Sequence, residues 1–177
     1  MNSPSLFVSA LAHCRQVTLE EIAQAIDNGR PNTWGDRDWT VGIKSSVAKL
    51  GRAAGWNICT SSVAGIEREC EWLFDQTWYR NENGMLRELG LVLESEWGDF
   101  PSVRYDFEKL LVARAPLKVM IYCDEALECE NSFAQLARGI FHYKHRDADD
   151  RFLLACWRGA KMQFEFRRLA GDGTLLT

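Results

Sequence analysis

Helix-like and strand-like segments alternate along this chain, and that alternation most restricts the fold it can adopt. Short apolar or alternating runs typical of strands lie at residues 56–60, 71–79, 90–97, 117–122, 151–157 and 161–166. Between them, apolar side chains recur at helical spacing, as at Trp39, Ile43 and Val47. We therefore predict an α/β protein with a mixed central β-sheet flanked by helices, whose core runs helix–strand–strand–strand–helix–strand.

A smaller helical unit is predicted ahead of that core. Thr18 and Glu21 form the capping-box pattern that begins helices, and Gly29 stands where such a helix would end. The chain of 177 residues has the length of a single domain. We divide it into an N-terminal helical extension, a core, and a terminal strand with a tail, at residues 5–29, 38–157 and 158–177.

No apolar run approaches the roughly 20 residues that a membrane-spanning helix needs. The longest early run, residues 6–14, is short and has no basic flank before it, so it does not have the pattern of a signal peptide. We therefore expect a cytoplasmic protein with no membrane partner.

Six cysteines are present, and no two of them form a C-x-x-C pair. Most stand inside apolar runs, where a reduced cysteine packs as a small hydrophobic side chain. We therefore predict neither a zinc site nor a disulfide framework. Cys123 and Cys129 flank a predicted turn and are the pair that the sequence brings nearest to each other.

The charge of the chain is uneven although its formal net value is only −4. Residues 138–168 carry eight basic and four acidic side chains, so the rest of the chain is strongly acidic. Such a basic segment can form a local phosphate-binding face. A solvated surface of mixed charge has the same composition, so both interpretations stay open.

Three carboxylates interrupt two consecutive predicted strands near their ends. Glu94 and Glu96 are two residues apart in one strand, so they point to the same face of the sheet. Asp75 interrupts the preceding strand, and pairing of the two strands as a hairpin would bring it beside Glu94. Adjacent carboxylates near a core are costly unless a charge neutralises them, and Mg²⁺ prefers oxygen ligands. The alternative is an acidic strand end that simply faces water.

These residues and their order resemble the PD-(D/E)XK nuclease-like superfamily, which has the restriction-endonuclease-like fold. The likeness covers about residues 38–157: an acid in the second core strand, an acid-x-acid pair ending the third, then a helix and a buried strand. The chain departs from the family pattern at two positions. No proline precedes Asp75, and Glu96 occupies the position that is usually lysine.

The resemblance implies a hydrolase that cuts phosphodiester bonds in DNA with Mg²⁺ or Mn²⁺. Asp75 and Glu94 would be metal ligands, together with the backbone carbonyl of Ser95. Glu96 would orient or deprotonate the attacking water, as glutamate does in some restriction endonucleases. A homodimer would supply the two sites that cutting both strands of a duplex needs.

In some relatives the lysine comes from the following helix, and Lys109 is the candidate here. On a helix with ~100° per residue, Lys109 lies roughly 145° from the centre of the apolar stripe, which is typical of a solvated lysine. Asp106, one turn earlier, would orient Lys109 or simply pair with it. Two further hypotheses remain: a catalytically inactive nuclease-fold module that binds nucleic acid or protein, and an unrelated α/β protein whose acidic strand ends do not converge.

Overall fold

The computed structural model describes residues 14–31, 36–65, 70–124 and 129–176, and within them it has four α-helices and a six-stranded mixed sheet. The predicted α/β class is therefore confirmed. The helices are α1 (Leu19–Asn28), α2 (Asp36–Ala53), α3 (Phe100–Val112) and α4 (Cys129–His142). The strands are β1 (Asn57–Thr60), β2 (Gln76–Glu82), β3 (Met85–Glu96), β4 (Leu117–Cys123), β5 (Arg151–Arg158) and β6 (Gln163–Ala170).

The strands lie in the sheet in the order in which they occur along the chain. β1, β2 and β3 form an antiparallel meander, β3, β4 and β5 are parallel, and β6 returns antiparallel to β5. From α2 to β4 the element order is helix–strand–strand–strand–helix–strand, as the sequence predicts. β3 is therefore the strand at which the sheet changes from antiparallel to parallel pairing.

Two apolar layers cover the two faces of the sheet. Helices α1 and α2 contribute Ile22, Ile43 and Val47 to one layer, which also contains Leu93 of β3. Helices α3 and α4 form the other layer, into which Val92 of β3 points. None of the helices in the described part of the chain is long and apolar enough to cross a membrane.

Helix α1 begins at the capping box that the sequence predicts. The Thr18 side chain accepts a hydrogen bond from Glu21 N, and the Glu21 carboxylate accepts one from Thr18 N. The first part of the predicted N-terminal helical unit, residues 5–13, lies outside the described residues. Helix α2 begins at Asp36, two residues before the predicted start of the core at residue 38.

Several element boundaries differ from the prediction, and side-chain hydrogen bonds account for two of them. β2 begins at Gln76 instead of residue 71, because the carbonyls of Cys70 and Asp75 accept hydrogen bonds from side chains of β1 rather than from a partner strand. α3 is capped by Asp99 instead of Ser102, since Asp99 Oδ1 accepts from Ser102 N at 3.0 Å. β3 begins five residues early because a two-residue turn, Asn83–Gly84, pairs it tightly with β2.

One pair of cysteines forms a disulfide, where the sequence predicts no disulfide framework. Cys129, the first residue of α4, is disulfide-bonded to Cys156 of β5, and their Cα atoms are 6.1 Å apart. Cys123 packs against the layer on the opposite face of the sheet, so it does not meet Cys129. The four other cysteines are reduced.

Candidate functional site

The ends of β2 and β3 bring Asp75 beside Glu94. Gln76 pairs with Leu93 in the antiparallel ladder, so Asp75, one residue before β2, stands opposite Glu94. The backbone N–H of Asp75 donates to Glu94 Oε2 at 3.4 Å. The two acids that the sequence singled out in consecutive strands are thus neighbours in the structure.

Ser95 fixes the orientation of the Asp75 carboxylate. Asp75 Oδ2 accepts hydrogen bonds from Ser95 N at 2.8 Å and from Ser95 Oγ at 2.6 Å. A carboxylate held by two donors has little rotational freedom left to lose when it binds a ligand. The predicted use of the Ser95 carbonyl as a metal ligand stays a prediction.

Glu94 is the most buried carboxylate of the site, with only 2% of its surface exposed. Side chains alternate along a strand, so Glu94 points to the same face as Val92, toward α3. Burial, together with the nearby charges of Asp75 and Asp106, raises the pKa of Glu94 to about 7 against the opposing effect of Lys109. Glu94 is therefore poised to exchange a proton near neutral pH.

Lys109 of α3 reaches this buried carboxylate. Its Nζ lies 2.6 Å from Glu94 Oε1 and 2.9 Å from Asp106 Oδ1. Burial lowers the pKa of Lys109, but its bonds to the two acids outweigh that effect and raise it overall. Because Asp106 also holds the ammonium, Lys109 stays charged whether Glu94 is ionised or not. A third of its side chain is exposed, so Lys109 is open to solvent as well.

The structure places the Glu96 carboxylate at the turn that follows β3. Glu96 Oε1 accepts a hydrogen bond from Gly98 N at 2.6 Å. Glu94 and Glu96 leave the strand on the same face of the sheet. The charged group that contacts Glu94 is Lys109. The role predicted for Glu96, activation of the attacking water, stays a prediction.

Sequence reasoning missed a second charged group at the same end of the sheet. Lys44 of α2 has only 3% of its side chain exposed, and its Nζ lies 2.9 Å from Glu71 Oε1 and 3.2 Å from Ser61 Oγ. Burial raises the pKa of Glu71, but bonds from Ser61 and Lys44 and the charges of Lys44 and Lys109 lower it overall. The signal in the sequence was a lysine adjoining the apolar stripe that includes Ile43, where an ammonium needs a partner.

The carboxylate oxygens at the strand ends fit a metal site that is built from two carboxylates. In the parts of the chain that the structure describes, no three His, Cys, Asp or Glu side chains are arranged to hold a metal ion together. Asp75 and Glu94 supply two carboxylates, and Mg²⁺ is commonly held by one or two carboxylates with waters and substrate phosphates. Glu94 Oε1 lies 2.6 Å from Lys109 Nζ and has no further hydrogen-bond partner among those residues. The predicted metal ligands stay a prediction.

Fold and site together define an α/β protein with paired carboxylates and a lysine at the point where antiparallel strands give way to parallel ones. Neither a model of a known protein family nor a curated protein matches the chain significantly. Its function is therefore inferred from this geometry and from the resemblance that the motif residues carry.

Proposed function

We propose that the chain is a metal-dependent nuclease of the PD-(D/E)XK nuclease-like superfamily that hydrolyses phosphodiester bonds in DNA. One observation carries the proposal: Lys109 Nζ lies 2.6 Å from the buried Glu94 carboxylate, which adjoins Asp75. Lys109 lies in the helix after the third core strand. Its ammonium supplies the positive charge that is missing at Glu96, the position that is usually lysine. The antiparallel-to-parallel order of the core strands supports the same assignment.

Each residue has a role that its contacts support. Asp75, Glu94 and the Ser95 carbonyl would hold Mg²⁺ or Mn²⁺, which when bound supplies Lewis acidity and lowers the pKa of a ligand water. Ser95 keeps Asp75 oriented through its N–H and hydroxyl. Lys109, charged and partly exposed, would face the scissile phosphate and stabilise the charge that develops there. Asp106 limits how far Lys109 can move.

We further propose that the protein acts on DNA in the cytoplasm. When it cuts duplex DNA, it would do so as a homodimer. The disulfide between Cys129 and Cys156 weighs against that compartment, because disulfides persist mainly in oxidising environments. The redox state of this pair in protein taken directly from cells, read by thiol labelling, tests the location. Labelling of all six cysteines supports the cytoplasm, whereas four labelled cysteines contradict it.

A second candidate function is a catalytically inactive nuclease-fold module that binds nucleic acid or protein. The observation that favours it is the Glu96 carboxylate, whose Oε1 accepts a hydrogen bond from Gly98 N. In addition, Lys109 neutralises Glu94 without any cation.

Cleavage assays decide between the two functions. Plasmid, single-stranded DNA and single-stranded RNA are incubated with Mg²⁺ or Mn²⁺, with and without chelator. The wild type is compared with Asp75→Ala, Glu94→Ala and the control Asp27→Ala, which removes a partly exposed acid of α1. Metal-dependent cutting that both site variants lose and the control keeps is the expected result. A folded wild type that cuts none of the substrates contradicts the nuclease and favours the binding module.

A further inference from the structure

Lys44 is a buried lysine whose charge needs an explanation. Only 3% of its side chain is exposed, and a buried ammonium is costly unless an acid and further hydrogen-bond acceptors surround it. The acid is Glu71 and the second acceptor is Ser61 Oγ. Glu71 lies in the segment that leads into β2, four residues before Asp75.

That segment is held by consecutive residues at the end of β1. Cys59 Sγ donates to the carbonyl of Cys70 at 2.7 Å, and Thr60 Oγ1 donates to the carbonyl of Asp75 at 2.6 Å. Ser61 Oγ donates to the Glu71 carboxylate. Lys44 joins the segment to α2 through an ion pair.

The two helix layers thus each send one lysine to the same end of the sheet. Lys109 comes from α3, with 35% of its side chain exposed, and contacts Glu94. Lys44 comes from α2 and is almost fully buried, so it cannot reach a substrate phosphate without unfolding its surroundings. The partly exposed Lys109 can therefore contact substrate, whereas the buried Lys44 can act only through the residues that it contacts.

We propose that Lys44 is a positioning residue of the carboxylate site: through Glu71 it holds the segment that presents Asp75 to Glu94. The proposal rests on the nuclease function proposed above. The charge of Lys109 also acts on Glu71. Residues that orient ligand residues commonly change metal affinity or activity by about 10- to 100-fold when they are replaced.

The test uses a matched pair of buried lysines. Lys118 is buried to the same degree, with 2% of its side chain exposed, and pairs with Asp150 near the opposite end of β4. Lys44→Met and Lys118→Met each keep the apolar stem and remove the charge. Both are measured for thermal stability, for Mn²⁺ affinity by electron paramagnetic resonance, and for kcat and KM with DNA.

We expect both variants to lose stability, but only Lys44→Met to bind Mn²⁺ more weakly and to lose kcat, by about 10- to 100-fold with KM for DNA unchanged. The double variant Lys44→Met/Glu71→Gln should lose no more than Lys44→Met alone, because both residues act through one ion pair. Equal Mn²⁺ affinity and kcat in Lys44→Met and Lys118→Met overturns the proposal. If instead Asp75→Ala and Glu94→Ala also leave Mn²⁺ binding and cleavage unchanged, the nuclease function itself fails.

Discussion

The ammonium of Lys109 lies 2.6 Å from Oε1 of Glu94, so a partly exposed lysine of α3 neutralises the most buried carboxylate at the ends of the central strands. The pair joins two elements that follow each other along the chain, β3 and α3. It combines a proton-exchanging acid with a permanent positive charge.

Replacing Lys109 by Met should lower kcat for DNA cleavage by about 100-fold or more, because a fixed charge beside the scissile phosphate is lost. Stability should fall only slightly, since Glu94 can take up a proton once its partner is gone. Lys161→Met is the control, because Lys161 is an exposed lysine paired with Glu165. Gel-based cleavage and thermal denaturation measure both effects. Cleavage by Lys109→Met at the wild-type rate would contradict the role.

Affinity for Mg²⁺ or Mn²⁺ should depend on pH through Glu94. Its pKa is raised to about 7, so below that pH a proton must leave before the carboxylate can bind a cation. We expect affinity to fall by about tenfold for each pH unit below 7 and to level off above 8. Calorimetry at pH 6 in two buffers of different ionisation enthalpy should detect release of about one proton per cation. A constant affinity from pH 5.5 to 8.5 would contradict a Glu94 ligand whose pKa is about 7.

Glu94 should also make the folded protein less stable as the pH rises. Its folded pKa of about 7 exceeds the ordinary value of 4.5, so between these values the folded state binds more protons than the unfolded state. The free energy of unfolding then decreases by up to about 1.4 kcal/mol per pH unit in that window. Glu94→Gln removes this dependence, so it should gain stability relative to wild type from pH 5 to 8 in urea denaturation. A constant difference between the two proteins would argue against the raised pKa.

Reduction of the disulfide should destabilise the protein by about 3 to 4 kcal/mol, the chain-entropy value for a closed loop of this length. Cys129 and Cys156 are separated by 27 positions in sequence. Urea denaturation with and without a phosphine reductant measures the change. The double variant Cys129→Ala/Cys156→Ala is the control and should not respond to the reductant. A wild type that keeps its full stability with six labelled thiols would refute the stabilising role.

The order of elements could be predicted because it depends on local periodicity. Helical spacing of apolar residues and short apolar runs reveal α2, β4 and α3 without tertiary information. The meeting of Asp75 and Glu94 follows from hairpin pairing, since β2 and β3 are joined by the two-residue turn at Asn83–Gly84. Local signals therefore cover much of the fold and the two central acids.

The remaining parts of the site depend on how far side chains extend and on the path of loops. Sequence periodicity predicts neither of them. A helical projection predicts that Lys109 leaves α3 away from its apolar stripe, but the long side chain nevertheless contacts Glu94 at the end of β3. The Lys44–Glu71 pair is set by the irregular path of residues 70–75. The disulfide depends on where α4 begins beneath β5, which sequence spacing does not reveal.

The alternation of side chains along β3 has a consequence for how this chain tolerates changes in length. Leu93 faces the layer of α1 and α2, and Glu94 faces α3. Deleting one residue between Leu91 and Glu94 would exchange these directions and drive a carboxylate into the apolar layer around Ile43. Extra residues at Asn83–Gly84 would only lengthen an exposed hairpin. In a library of single-residue insertions and deletions, functional clones should therefore be frequent at the hairpin tip and absent across residues 91–94.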